Sequence, residues 1–162
     1  MDSTPQKNPG RVEKDKKKRP SPRRDGREAA VQFLFGRDLR GGIALGKDEI
    51  TQFWELRTAR SFARDFATEL IEGTLENIGE IDALIKPALQ NFSFYRLTPV
   101  DRNILRLGVY ELLYAEHIPA SAALNEAIEI ARRFGTEDSP AFVNGVLDRI
   151  LRESRDGVSD VK

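Results

Sequence analysis

The sequence predicts an all-α fold, and three observations carry the prediction. Apolar residues recur at intervals of three and four from about residue 23 to residue 151. No segment alternates apolar and polar residues with the period of two that a half-buried strand requires. Two stretches near the C-terminus also carry helix start and stop signals in the right places.

Those two stretches organise the chain. In residues 120–135, Leu124, Ala127, Ile128, Ala131 and Phe134 share one face, while Glu126, Glu129, Arg132 and Arg133 take the other. Gly135 stands where the chain leaves this helix, and the expectation is a left-handed conformation that a residue without a Cβ adopts cheaply. The next helix is expected to begin with Ser139 as N-cap and Pro140 at the first helical position, where a missing N–H does no harm. Phe142, Val143, Val146, Leu147, Ile150 and Leu151 then form one stripe. Neither apolar face has a partner of its own, so a third element must cover both.

At 162 residues the chain can hold one domain with a sizeable core. It contains no run of about 18 apolar residues, so no membrane span is expected. Its polar, basic N-terminus lacks the apolar segment of a secretory signal. The absence of Cys excludes disulfides and Cys-based zinc sites and fits a reducing compartment, hence a cytoplasmic location. With one His and no Cys or carboxylate cluster, neither a structural metal nor a cofactor is expected. The zero net charge conceals an asymmetry: residues 1–27 hold ten Lys/Arg and four Asp/Glu, and residues 28–162 hold sixteen and twenty-two. A net +6 arm on a net −6 body suits contact with a polyanion at one end, the plainer alternative being a solvated tail.

Residues 1–22 contain four prolines, the basic run at 16–19 and almost no aliphatic residue, so they read as a disordered basic extension. A first helix is expected over 23–38, with Ala29, Ala30, Phe33 and Leu34 inward. Arg23 and Arg27 lie one turn apart at its start, where cations oppose the helix dipole and an anionic ligand would account for them. Gly41 through Lys47 has the spacing of a phosphate-binding loop, but Asp48 replaces the required hydroxyl and no strand precedes it. A loop capped by Asp48, leading into a helix with Ile50, Phe53, Trp54 and Leu56, is the better reading.

Residues 58–78 repeat apolar pairs every four residues, Phe62/Ala63 through Ile78, and are expected as one core-facing helix. Ile81, Leu84, Ile85 and Leu89 continue in another, where Pro87 should kink the helix or mark a new start. After an aromatic connector, Thr98, Pro99 and Asp101 form a capping-box start. The helix of 99–115 is apolar over most of its circumference, so other helices must surround it. Gly108 in its middle is tolerable if another helix crosses there. His117 reads as a surface loop residue, and the tail of 153–162 is expected to fray. No nucleophile–base pair or carboxylate pair stands out, so an enzyme is the weaker class.

Residues 27–35 (REAAVQFLF), 101–112 (DRNILRLGVYEL), 125–131 (NEAIEIA), 134–139 (FGTEDS) and 142–148 (FVNGVLD) together make the chain closely similar to the NusB family of transcription antitermination factors over about residues 23–152. The resemblance implies about seven helices in two packed bundles. It also implies binding of boxA-containing single-stranded RNA together with the small-subunit ribosomal protein NusE, and association with RNA polymerase and other Nus factors. By position, Arg23, Arg24, Arg27, Gln32, Asp138 and Phe142 match residues on the family's RNA side. Asp101, with Arg102 and Leu105 as neighbours, matches the NusE-facing surface. Arg meets phosphates, amide and carboxylate groups read base edges, and an aromatic ring stacks an unpaired base. Core packing is the plainer role for Phe142, and capping for Asp138 and Asp101. The sequence departs from the family in its long basic extension, in Gly26, in Phe92 and Tyr95 of the connector and in the Gly-rich loop at 41–46. Monomer and homodimer both remain open. An adaptor without RNA affinity, or the recognition part of an RNA methyltransferase, are the competing readings.

Overall fold

A computed structural model describes residues 21–44, 48–57 and 59–159. Seven α-helices and one 3-10 turn make up its regular structure, with no strand among the described residues. They are α1 (Pro22–Leu39), α2 (Glu49–Leu56), α3 (Ser61–Glu76), α4 (Ile78–Ala88), the 3-10 turn Phe94–Arg96, α5 (Pro99–Leu113), α6 (Ala120–Phe134) and α7 (Ser139–Ser159). The first twenty residues of the expected extension, and Gly46 and Lys47 of the Gly-rich loop, lie outside the described residues.

α5 is the axis of the fold: α1 and α3 pack on one side of it, and α4, α6 and α7 on the others. Its apolar circumference demands this, and Ile104, Leu105, Leu107 and Val109 are all buried in one continuous core that takes residues from six helices. A Cβ on Gly108 would stand 2.7 Å from Cδ1 of Leu147, so α7 crosses α5 at that glycine, as its mid-helix position requires. A smaller cluster of Ala29, Trp54 and Ala67 seats α2 on α1 and α3.

Several local expectations are corrected. The helix expected over 58–78 breaks at Asn77, whose side-chain amide turns back to donate to the Gly73 carbonyl at 2.8 Å. Pro87 does not start a new helix; it sits in the last turn of α4, one residue before the end. Phe62 and Leu84, assigned to the inward stripes, are exposed, because the helices they lie on are covered along a narrower band. Thr98 caps α5 by accepting the Asp101 N–H at 3.2 Å, but the carboxylate of Asp101 makes no return bond. Gly135 is extended rather than left-handed, with φ −88° and ψ −166°. Its missing side chain matters because a Cβ would lie 2.4 Å from Oγ of Ser139 and 2.7 Å from the Ala131 carbonyl. Ser139 is the first residue of α7, and its buried hydroxyl accepts the Thr136 N–H at 2.9 Å instead of capping α7. The expected frayed tail is helical to Ser159, with Arg149–Glu153 and Asp148–Arg152 pairs one turn apart bracing its start.

Candidate nucleic-acid interface

The first turn of α1 separates its three arginines by environment. Ser21 caps the helix by accepting the Arg24 N–H at 3.2 Å, and Pro22 occupies the first turn. Arg23 is exposed and has no hydrogen-bond or ionic partner among the described residues. Arg24 forks onto Glu126 of α6: Nε donates to Oε2 and Nη2 to Oε1, each at 3.0 Å. These hydrogen bonds hold the Glu126 carboxyl below the usual carboxylate range and raise the Arg24 guanidinium.

Arg27, expected from the sequence to meet phosphate, is turned into the fold rather than offered to solvent. Its side chain is buried, Nε donates to Oε1 of Glu111 at 2.7 Å, and the guanidinium lies over the Phe66 ring at 5.2 Å. Burial pushes the Glu111 carboxyl up while Arg27 opposes the shift. The cause is Gly26: a Cβ there would lie 2.9 Å from Cδ1 of Phe66 and 3.0 Å from the Ala63 carbonyl, so α3 crosses α1 at that point and seals the neighbouring arginine. The conflict with the helix dipole is thus met internally for Arg27 and Arg24, by Glu111 and Glu126, and is left unmet at Arg23. Glu28, likewise buried, accepts from Arg133 of α6 at 2.7 Å.

A cleft of about 480 Å³ opens beside this turn, lined by Arg23, Phe62, Asp65, Glu69, His117 and Glu126 among others. His117 sits on its rim, exposed as expected for a loop, with Nε2 3.0 Å from Glu69. Gln32 is exposed on another face of α1, where its side-chain oxygen accepts from Nε of Arg57 at 2.8 Å.

The start of α7 forms a second group. The Asp138 carbonyl accepts the Phe142 N–H at 3.1 Å, placing Asp138 at the N-cap position, while its exposed carboxylate makes no capping bond. Phe142 is half-buried, so core packing accounts for part of the ring only. Its centroid lies 6.0 Å from that of Phe92, which is exposed. Beside this pair runs a groove of about 330 Å³ between the end of α4 and α7, lined by Gln90, Phe142, Arg149 and Arg152 among others. The sequence reading passed over Arg149 and Arg152, although they follow Phe142 by seven and ten residues and share its helix face. No hydrogen bond, ion pair or ring contact joins the two groups among the described residues. The helix α6 lies between them, packed on α7 and holding α1 at Glu126 and at Arg133.

At the expected partner surface, Leu105 has no exposed area and belongs to the core, so it leaves that set. Arg102 is committed to Asp38 at 2.7 Å and to the Phe94 and Leu97 carbonyls at 3.3 Å. It ties α5 to α1 and the preceding turn rather than reaching outward. Asp101 is 9% exposed, and its Oδ1 is buried without a partner. Among the described residues no group of three or more His, Asp and Glu could hold a metal ion, and no helix is long and apolar enough to cross a membrane.

The model of the NusB family matches residues 24–152. The transcription antitermination protein NusB of Geobacter sulfurreducens is 47% identical over 128 residues, 79% of this chain and 92% of the relative. That of Thermodesulfovibrio yellowstonii is 39% identical over 139 residues, 81% of this chain and 92% of the relative. Among solved structures, T. maritima NusB superposes with a TM-score of 0.72 at 42% identity, covering 83% of this chain and 94% of that one. A structure described as antitermination factors NusB and NusE in complex with dsRNA gives a TM-score of 0.72 at 28% identity, covering 82% and 97%.

Proposed function

The chain belongs to the NusB family, and from that premise we propose that it binds boxA-containing single-stranded RNA together with NusE, as a transcription antitermination factor acting with RNA polymerase and other Nus factors. The observation that carries the RNA reading is the Phe92–Phe142 pair, half exposed beside Arg149 and Arg152 and one helical turn from the free carboxylate of Asp138. An unpaired base stacks on such rings, guanidinium groups meet its phosphates, and a carboxylate accepts from exocyclic amino groups. Arg23 supplies a further free cation at the start of α1, with Arg24 beside it and Gln32 on the same helix. A similar NusB described with NusE in complex with double-stranded RNA supports RNA and NusE as joint partners.

Within this reading the partner surface centres on Asp101. Its carboxylate has no hydrogen bond or ion pair within the described residues, which leaves its charge for a cation of NusE to balance.

The test is a titration of a labelled boxA-like single strand, with and without NusE, over a salt series. The expected result is binding that NusE strengthens and salt weakens steeply, because counterion release dominates such affinities. An equal-length RNA duplex serves as comparison. Indifference to both RNAs with NusE present would leave an adaptor without RNA affinity.

A further inference from the structure

Glu126 holds Arg24 by one edge only. The carboxylate takes Nε–H and one Nη2–H, at 3.0 Å each. The Nη1 hydrogens and the remaining Nη2 hydrogen make no hydrogen bond among the described residues, and the side chain is 41% exposed. A guanidinium is a planar fork of five N–H groups, and its outer Nη1/Nη2 edge matches a phosphate bidentately. Glu126 itself is 20% exposed and rides on a helix anchored by the buried residues Ala123 and Ala127, so its carboxylate is a fixed bracket. Without it, Arg24 would be a long, part-exposed side chain with many rotamers.

We propose that Glu126 is a positioning residue for RNA: it locks Arg24 so that the free edge of the guanidinium points outward beside Arg23, ready for a backbone phosphate. The inference rests on the RNA-binding reading above. It makes a prediction opposite in sign to simple electrostatics. A carboxylate beside a polyanion repels it, so removing one should tighten binding if charge alone mattered. A bracket does the reverse, because ordering the side chain beforehand removes a cost otherwise met on binding.

Binding of a boxA-like single strand with NusE present is measured for the full chain and for E126A, E126Q, R24A and the double variant R24A/E126A, with thermal unfolding as the control for fold. E126A is expected to weaken binding about two- to tenfold, the span that follows from freeing one side chain. E126Q, which retains one acceptor oxygen, should lose less, and R24A at least as much as E126A. In the R24A background the second substitution should have no further effect, since the bracket then holds nothing. A merely structural Glu126 would weaken binding equally in both backgrounds, and that result overturns the proposal. So does a folded E126A or E126Q that binds as well as or better than the unaltered chain. Absence of RNA binding by the unaltered chain overturns the RNA reading and this inference together, whereas the other outcomes touch this inference alone.

Discussion

Nε of Arg27 lies 2.7 Å from Oε1 of Glu111, and the two side chains are 5% and 2% exposed. This buried ion pair joins the start of α1 to the end of α5, one helical turn along α1 from Arg23 and Arg24.

Arg27→Ala leaves a buried carboxylate without its partner, so a loss of about 3–5 kcal/mol in urea unfolding is expected. The pH dependence follows from burial, which raises the folded pKa of Glu111 above the unfolded value of about 4.3. The folded state therefore holds the proton more tightly than the unfolded chain. Stability is lost as pH rises from the unfolded value to the raised folded one and is level above it. Losing Arg27 removes a lowering influence, so the variant should regain more stability on acidification than the unaltered protein. A deficit that stayed constant from neutral pH down to pH 4 would contradict the assignment.

Arg23 behaves oppositely. With no internal partner, Arg23→Ala should leave the unfolding free energy within about 0.5 kcal/mol. It should weaken RNA binding and reduce the slope of log affinity against log salt by about one. Unfolding curves and a salt series on the same preparation check both parts.

Phe92→Ala tests the ring pair more cleanly than a change at Phe142, because Phe92 is 56% exposed and contributes little to the core. The expected loss is about 1–3 kcal/mol of RNA affinity, the range for one stacked base. The salt slope should not move. An altered slope would mean that the substitution had disturbed Arg149 or Arg152 instead.

Asp101→Asn keeps the shape at the start of α5 and removes the charge. Binding of NusE should weaken, while RNA binding by the chain alone stays the same. Isothermal titration with NusE, paired with the RNA titration, reads the two effects separately. Equal weakening of both would reduce Asp101 to a helix-start residue.

Much of the fold was legible in the sequence because helix periodicity and capping are local. The start of α5 at Pro99, the crossing expected at Gly108 and the central place of α5 all follow from residue type and spacing. Phe142 could be placed in the first turn of α7 for the same reason, whereas the family resemblance singles out Asp138 and residue type points to Ser139 as the cap. What local pattern cannot carry is which side of a charged turn another helix covers. Arg23 and Arg27 are equivalent in spacing, yet α3 crosses at Gly26 and seals one of them against Glu111, 84 residues away. Leu105 shows the same limit, since on an almost wholly apolar helix spacing alone does not separate a partner-facing residue from a core one.

By itself, then, the sequence determined that this chain is helical, where most of its helices begin, and which family it resembles. Those properties depend on interactions within a few residues. Only the tertiary structure decided which arginines remain free, that Glu126 grips Arg24, and that Phe92, Arg149 and Arg152 gather around Phe142. Burial and ion pairing depend on elements far apart in the chain, and their outcome is set by where helices cross.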